Sequence, residues 1–391
     1  PYTYQYNLSL QREIAPSTVL EASYVGNDSH GLTSLQDINP FTLGTTDRML
    51  NLTPGNSSCV DYGENSTSGV DPSATCSYAD LPEFRNVANA VYNSLQVSVT
   101  KQITNSLIGR TYFTAAYTYG HSIDDASGFR QRNSSVPTYD PSAFRASSDQ
   151  DIRHRITISG GWDLPFDQMW ASGPKRLTHG WSLFPIFTWH TGLPYDVFAN
   201  LPEKYVPNAE GPSGAGDPYN VHANVVGKVV TQYSPGTAQT LTNPNTGTSS
   251  AGNYLFNPAS LSNAQCGDTN DPFPCTPGPT VLPADSQVVA NPALATYGTL
   301  PRNFLRGPSY INLDMALSKT TAITEHVNLE FRAEFFNIAN HANFLNPNVV
   351  NSYQGFLTGS GSGTNPNSNL FGQITSTYDP RIIQLALRLS F

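Results

Sequence analysis

Ile383 to Phe391 reads IQLALRLSF, and the period of this stretch decides the fold. Ile383, Leu385, Leu387, Leu389 and Phe391 fall on one face of an extended chain, while Gln384, Ala386, Arg388 and Ser390 fall on the other. Side chains of a strand alternate sides, so the segment has one apolar and one polar face. The pattern recurs upstream. Val327, Leu329, Phe331, Ala333 and Phe335 alternate with Asn328, Glu330, Arg332 and Glu334, and Ile311, Leu313, Met315 and Leu317 alternate with Asn312, Asp314, Ala316 and Ser318. Trp181 to Trp189, Ile156 to Leu164, Phe113 to Tyr119, Leu95 to Ile103, Leu20 to Tyr24 and Tyr4 to Leu10 repeat it. The periodicity predicts about nine strands of roughly ten residues, the length that crosses a bilayer when tilted. No 3.6-residue period competes with it.

The spacing of these segments adds a second signal. Connections run short near Ala15 to Ser17, long at about 27–90, short at Asn105 to Gly109 and long at about 121–151. A medium one follows at Pro165 to His179, then a very long one at about 194–308, a short one at Thr320 to His326 and a long one at about 340–380. Tight turns at one end and large loops at the other are the arrangement of outer-membrane barrels. A soluble sandwich has no reason to sort its loops, because both of its ends face water. Aromatics at strand ends (Tyr4, Tyr6, Tyr117, Tyr119, Trp162, Trp181, Trp189) fit the girdles at the two membrane interfaces.

Composition agrees. Of 391 residues, 38% are hydrophobic and only 13% are charged, about half the charge share of a soluble domain. No stretch approaches the ~18 consecutive apolar residues of a spanning helix. A net charge of −9 leaves no basic face for nucleic acid. The chain opens at Pro1 without Met or a charged-then-apolar leader, so a signal peptide is expected to lie outside these residues. Cys59 with Cys76, and Cys266 with Cys275, form two close pairs in Gly/Pro/Asn-rich segments. They read as disulfides made in an oxidising compartment such as the periplasm. Metal binding is the rival reading, and no CxxC or His pair supports it.

Five segments resemble the C-terminal barrel of TonB-dependent receptors, of the Oar-like branch with a carboxypeptidase-regulatory-like domain. They are YNLSLQREIAPSTVLEASYVG (Tyr6 to Gly26), AAYTYGHSIDDAS (Ala115 to Ser127) and DIRHRITISGGWDLPF (Asp151 to Phe166), together with Leu305 to Asn348 and FGQITSTYDPRIIQLALRLSF (Phe371 to Phe391). The resemblance implies a barrel of about 22 strands around a plug. The expected fold is therefore all-β: residues 1–391 form an antiparallel transmembrane barrel portion, about nine or ten strands of a larger wall, with plug and signal peptide absent. An open edge cannot stand in lipid with its backbone groups unpaired.

Candidate functional residues follow from this frame. Phe391 with Leu385, Leu387 and Leu389 looks like the terminal signal read by the barrel-assembly machinery, an exposed strand able to extend another sheet; the alternative is an ordinary last strand. Asp314, Glu330, Arg332, Glu334 and Arg388 are expected to face the lumen, either as a self-satisfied ladder or as contacts to a plug or ligand path. Asp151, Arg153, His154 and Arg155 at an outer mouth suit lipopolysaccharide phosphates or a plain interfacial anchor. Asp268, Asn270 and Asp271 lack full calcium-loop spacing. No GxSxG, HExxH or Walker loop is present, and the neighbouring Asp124 and Asp125 would point to opposite faces. Neither enzymatic activity nor a cofactor or metal is expected. The expected partners are outer-membrane lipid and lipopolysaccharide, the assembly machinery, an inner-membrane energy-coupling complex reached through a missing N-terminal part, and a bulky ligand of unknown identity. The competing readings are a secreted β-rich binding protein or adhesin and a diffusion porin. They divide on one observable. In a membrane wall Leu313, Phe331, Leu385 and Leu387 form an outward belt, and in a sandwich they lie buried between sheets.

Overall fold

The structure, a computed structural model, describes residues 1–37, 82–106, 109–125, 127, 145–196, 224–225, 236–242, 249–256, 261–262, 300–347 and 372–391. Nine long strands make one antiparallel sheet in chain order: β1 (Tyr2–Ala15), β2 (Thr18–Asp37), β3 (Pro82–Ser106), β4 (Gly109–Asp124), β5 (His154–Asp163), β6 (Trp181–His190), β7 (Tyr310–Ala322), β8 (Asn328–Phe336) and β9 (Ile382–Ser390). The two-residue strand Ala146–Ser147 adds to β4. Strands β1 and β9 are the edges, so the sheet is not closed.

The cross-strand register carries the alternation seen in the sequence from edge to edge. One row runs Leu10, Ala22, Val97, Tyr117, Ile156, Trp189, Ile311 across seven strands. The row one residue away runs Gln11, Glu21, Ser98, Ala116, Thr157, Thr188, Asn312. A slip of one residue at any pairing would exchange these faces, and none occurs between these rows. Further along, Leu183, Leu317, Ala333 and Leu385 continue the apolar face to β9. Among the described residues no second sheet covers that face: Leu385 is 66% exposed at the edge, and Leu95 44% and Ile158 40% within the wall. The described wall is thus not one half of a sandwich. The polar face is mixed at β6, where Phe184 and Ile186 share it with Ser182 and Thr188.

Close packing between strands fixes details of the apolar face. A Cβ placed on Gly26 would lie 1.9 Å from Cε2 of Tyr6, its cross-strand partner. The Tyr6 ring crosses the glycine, and its hydroxyl donates to Asn93 Oδ1 at 3.0 Å. The Tyr24 hydroxyl donates to the same oxygen at 2.8 Å. Only a residue without a side chain lets the aromatic lie flat there.

The strands run further than the sequence spacing predicts at one loop. The connection expected at 27–90 begins only after Asp37 and ends before Pro82, because β2 and β3 continue as a paired hairpin from Thr33↔Asn86 to Asp37↔Pro82. A bulge around Ser29 and Leu32 interrupts the alternation there, which is why the period fades although pairing persists. Among the described residues, the segment expected as one loop at 194–308 holds three small strand pairs. They join Pro194–Tyr195 to Leu305–Arg306, Asn224–Val225 to Leu261–Ser262, and Gln239–Thr242 to Ser249–Gly252. The 165–179 connection holds two helical turns, α1 (Phe166–Met169) and α2 (Lys175–Thr178), each preceded by a proline. The strand ends that flank the short connections (β1 to β2, β3 to β4, β5 to β6 and β7 to β8) lie at one end of the wall, and those that flank the long ones (β2 to β3, β4 to β5, β6 to β7 and β8 to β9) lie at the other.

Candidate functional site at the long-connection end

The tips of β4 and β5 meet the close of the 191–309 connection in a grid of carboxylates and guanidinium groups. Asp151 is its hub and is almost wholly buried. Its carboxylate accepts from the Ser122 backbone N–H at 2.8 Å, from Arg153 Nε at 2.9 Å and from the Arg306 guanidinium. His121 Nδ1 lies 3.3 Å from the same carboxylate, and Arg153 donates to His121 Nε2 at 3.0 Å. Because Arg can only donate, the tautomer that satisfies both contacts carries its proton on Nδ1. Burial alone would raise the Asp151 carboxyl, but the Ser122, Arg306 and His121 hydrogen bonds outweigh it and hold the group below the ordinary carboxylate range.

Asp124 forms a second node. It takes the Arg302 guanidinium on its backbone and side-chain oxygens, and accepts from Ser127 Oγ at 2.8 Å. Arg302 also donates to Ser127 Oγ at 3.2 Å and stands 3.7 Å from Asp149. Between the two arginines, Asn303 donates through Nδ2 to Asp149 at 2.7 Å and to the Ser147 carbonyl at 2.8 Å, while its backbone N–H reaches Asp196. Asn303 holds φ 53, a left-handed conformation that Asn tolerates better than most residues. Burial pushes the Asp196 carboxyl up to about 7, with Asp149 adding to the rise and Asn303 and Arg302 opposing it. Asp125 serves another set: Arg145 at 3.1 Å, the Asn89 N–H at 2.8 Å and Asn89 Nδ2 at 3.1 Å. Asp124 and Asp125 thus have separate partners and do not act as one carboxylate couple.

Removing such ions from water is costly unless each finds several hydrogen bonds. Here Asp124, Asp125 and Asp151 each have more than one, so the grid clamps the end of the long connection to the wall. Arg153, one of the basic groups that suit either lipopolysaccharide phosphates or a plain interfacial anchor, is engaged by Asp151 and His121. The His154 ring lies against Tyr119 at 5.0 Å and Tyr117 at 6.2 Å.

An asparagine-rich knot follows β8. Asn337 and Asn340 hold positive φ, and Asp314 accepts the Asn337 N–H at 2.8 Å. Asn343, buried, donates Nδ2 to the Ile311 carbonyl and accepts the Ile311 N–H, both at 2.8 Å. Its amide replaces a strand partner for β7 where β8 has ended. Of the charged candidates, Glu330, Arg332, Glu334 and Arg388 lie on the polar face, with Glu330 opposite Arg388. Arg332 pairs with Glu334 at 2.7 Å and Glu330 accepts from Ser318 Oγ at 3.1 Å. Asp314 shares that parity but is used by Asn337 and by Asn312 Nδ2 at 2.8 Å. Leu385, Leu387 and Leu389 line the apolar face of β9, and Phe391 follows it, 97% exposed. Cys59, Cys76, Cys266 and Cys275, and Asp268, Asn270 and Asp271, lie outside the described residues. Among the described residues no group of three or more His, Cys, Asp or Glu is placed to hold a metal.

Arg302, Asn303, Arg306, Asp196 and Asn343 carry these networks without any mark in the sequence. Their partners are far away in the chain (Arg302 and Asp124 are 178 residues apart), and no periodicity encodes such a pairing.

A wall with one uncovered apolar face, a polar face and loops sorted by length is that of an outer-membrane β-barrel. The chain belongs to the outer membrane beta barrel domain family, whose profile matches residues 1–384. It is a component of the bacterial outer membrane. Among solved structures it is similar to the outer membrane transporter YddB from Escherichia coli, with 10% identity and a TM-score of 0.43 over 99% of this chain and 32% of that one. The chain therefore spans about a third of that transporter's length. No curated protein sequence matches it.

Proposed function

We propose that this chain is wall from a TonB-dependent receptor of the Oar-like type, whose complete barrel takes up a bulky ligand with energy from the inner membrane. The observation that carries the reading is the open sheet. Every neighbouring pair is antiparallel across nine long strands, so β1 and β9 run in the same direction. An all-antiparallel barrel closes between such edges only through an odd number of further strands, and an unpaired edge is not tolerated in lipid. A receptor-sized wall supplies those strands. The buried Arg–Asp grid, which folds a long connection back onto the mouth, also suits a ligand-gathering exterior better than an open porin mouth. On this reading Leu385, Leu387, Leu389 and Phe391 present the assembly machinery with its terminal strand, and neither catalysis nor a cofactor is involved.

The test uses the whole gene product purified from outer membranes. Expected are a heat-modifiable barrel and binding of the periplasmic domain of the energy-coupling protein. A barrel closed by these strands alone that passes small sugars in liposome swelling, and ignores the energy-coupling domain, overturns the reading in favour of a porin.

A further inference from the structure

Residues 164–180 join β5 to β6 at the end of the wall with the short connections, the periplasmic end of an outer-membrane barrel. Their contacts place them on the lipid side of the wall. Trp181 and Lys319 are cross-strand partners on the apolar face. Trp181 Nε1 donates to the Leu177 carbonyl at 2.7 Å, and Phe166 meets the Trp181 ring edge-on at 6.3 Å. Lys319 Nζ donates to the His179 carbonyl and lies 5.6 Å over the Trp181 ring. The segment is thus tied to the apolar face from three directions. It nevertheless leaves Met169 78%, Leu177 63% and Trp170 56% exposed.

Charge on the segment is uneven. Asp167 faces His179 at 3.4 Å and Asp163 faces Arg110 at 3.7 Å. Lys175 and Arg176 are exposed, and among the described residues neither has an ion pair. Large apolar side chains with basic ones beside them, continuous with a lipid-facing surface, are the composition of an interfacial anchor.

We propose that this turn is such an anchor: Met169, Trp170 and Leu177 enter the periplasmic leaflet, and Lys175 and Arg176 bind the phosphates of anionic phospholipid headgroups. The long basic stems let both charges reach the phosphate level while their methylenes stay against the apolar residues. The inference rests on the membrane reading of the wall, and Trp189, at the opposite end of the same apolar face, serves as its control.

The test places the whole protein in nanodiscs of phosphatidylethanolamine and phosphatidylglycerol with brominated acyl chains. Trp170→Phe and Trp189→Phe, compared with the parent, isolate each indole's contribution to quenching. Trp170 is expected to be quenched by the brominated lipid and shielded from aqueous acrylamide. Quenching by acrylamide alone overturns the proposal by placing the turn in water, and quenching by neither overturns it in favour of a covering protein. If Trp189 also escapes the lipid, the membrane reading itself fails. Lys175→Gln and Arg176→Gln are each expected to lower phosphatidylglycerol enrichment around the protein about fivefold. Unchanged enrichment in the double variant overturns the headgroup assignment.

Discussion

At the scale of single residues, Asp196 and Asp151 respond to pH in opposite ways. The Asp196 carboxyl is raised from 3.8 to about 7 by burial. A raised acid contributes stability that is fully present below its unfolded value and lost as pH rises through its folded one. The clamp on residues 302–306 should therefore loosen between about pH 4 and pH 8. The hydrogen-exchange protection factor at Asn303 to Arg306, corrected for the intrinsic rise of exchange with pH, should fall over that window in the parent and stay flat in Asp196→Asn, whose amide oxygen can still accept the Asn303 N–H. An identical pH profile in the variant would remove Asp196 from this role. Asp151 is lowered, so its contribution is present at neutral pH and lost only in acid below the ordinary carboxylate range. None of this was legible in the sequence. Asp151 stood out as a charge at a strand mouth, but its partner Arg306 lies 155 residues away, and the burial that shifts both acids exists only after folding.

Elements were far easier to read, because alternation is written locally. Each of the nine long strands contains the apolar row found in the sequence, and the short connections fall where the spacing placed them. What the period missed were the extended hairpin beyond Ser29, broken by a bulge, and the helical turns of 166–178, too short to show a 3.6-residue period. The two faces make a direct prediction on β7. Met315 lies on the apolar face between Pro185 and Phe335, and Ala316 on the polar face between Phe184 and Glu334. Met315→Arg should cost about 2–4 kcal/mol if the position meets lipid near mid-depth. It should reduce the heat-modifiable protein recovered from outer membranes. Ala316→Arg, one residue away and beside Glu334, should leave recovery near the parent level. Equal loss from both would mean that the faces are not lipid and lumen.

For the whole molecule, the common direction of β1 and β9 governs closure. Leu8 on β1 and Leu387 on β9 both sit on the apolar face of edge strands. In the assembled protein, Leu8→Cys with Leu387→Cys should not cross-link if further strands complete the barrel as proposed. Disulfide formation at high yield would show instead that the nine strands close by parallel pairing. The sequence by itself determined the strands, their two faces and the end on which the long connections lie. Period-two alternation and connection length are local quantities that need no knowledge of neighbours. The tertiary structure alone decided the register that joins those faces into one belt. It also decided the Arg302–Asp124 and Arg306–Asp151 clamps, and the fold of the 164–180 turn onto the apolar side. Each of these depends on pairing between distant segments, where burial and hydrogen-bond geometry choose among partners that the linear chain does not distinguish.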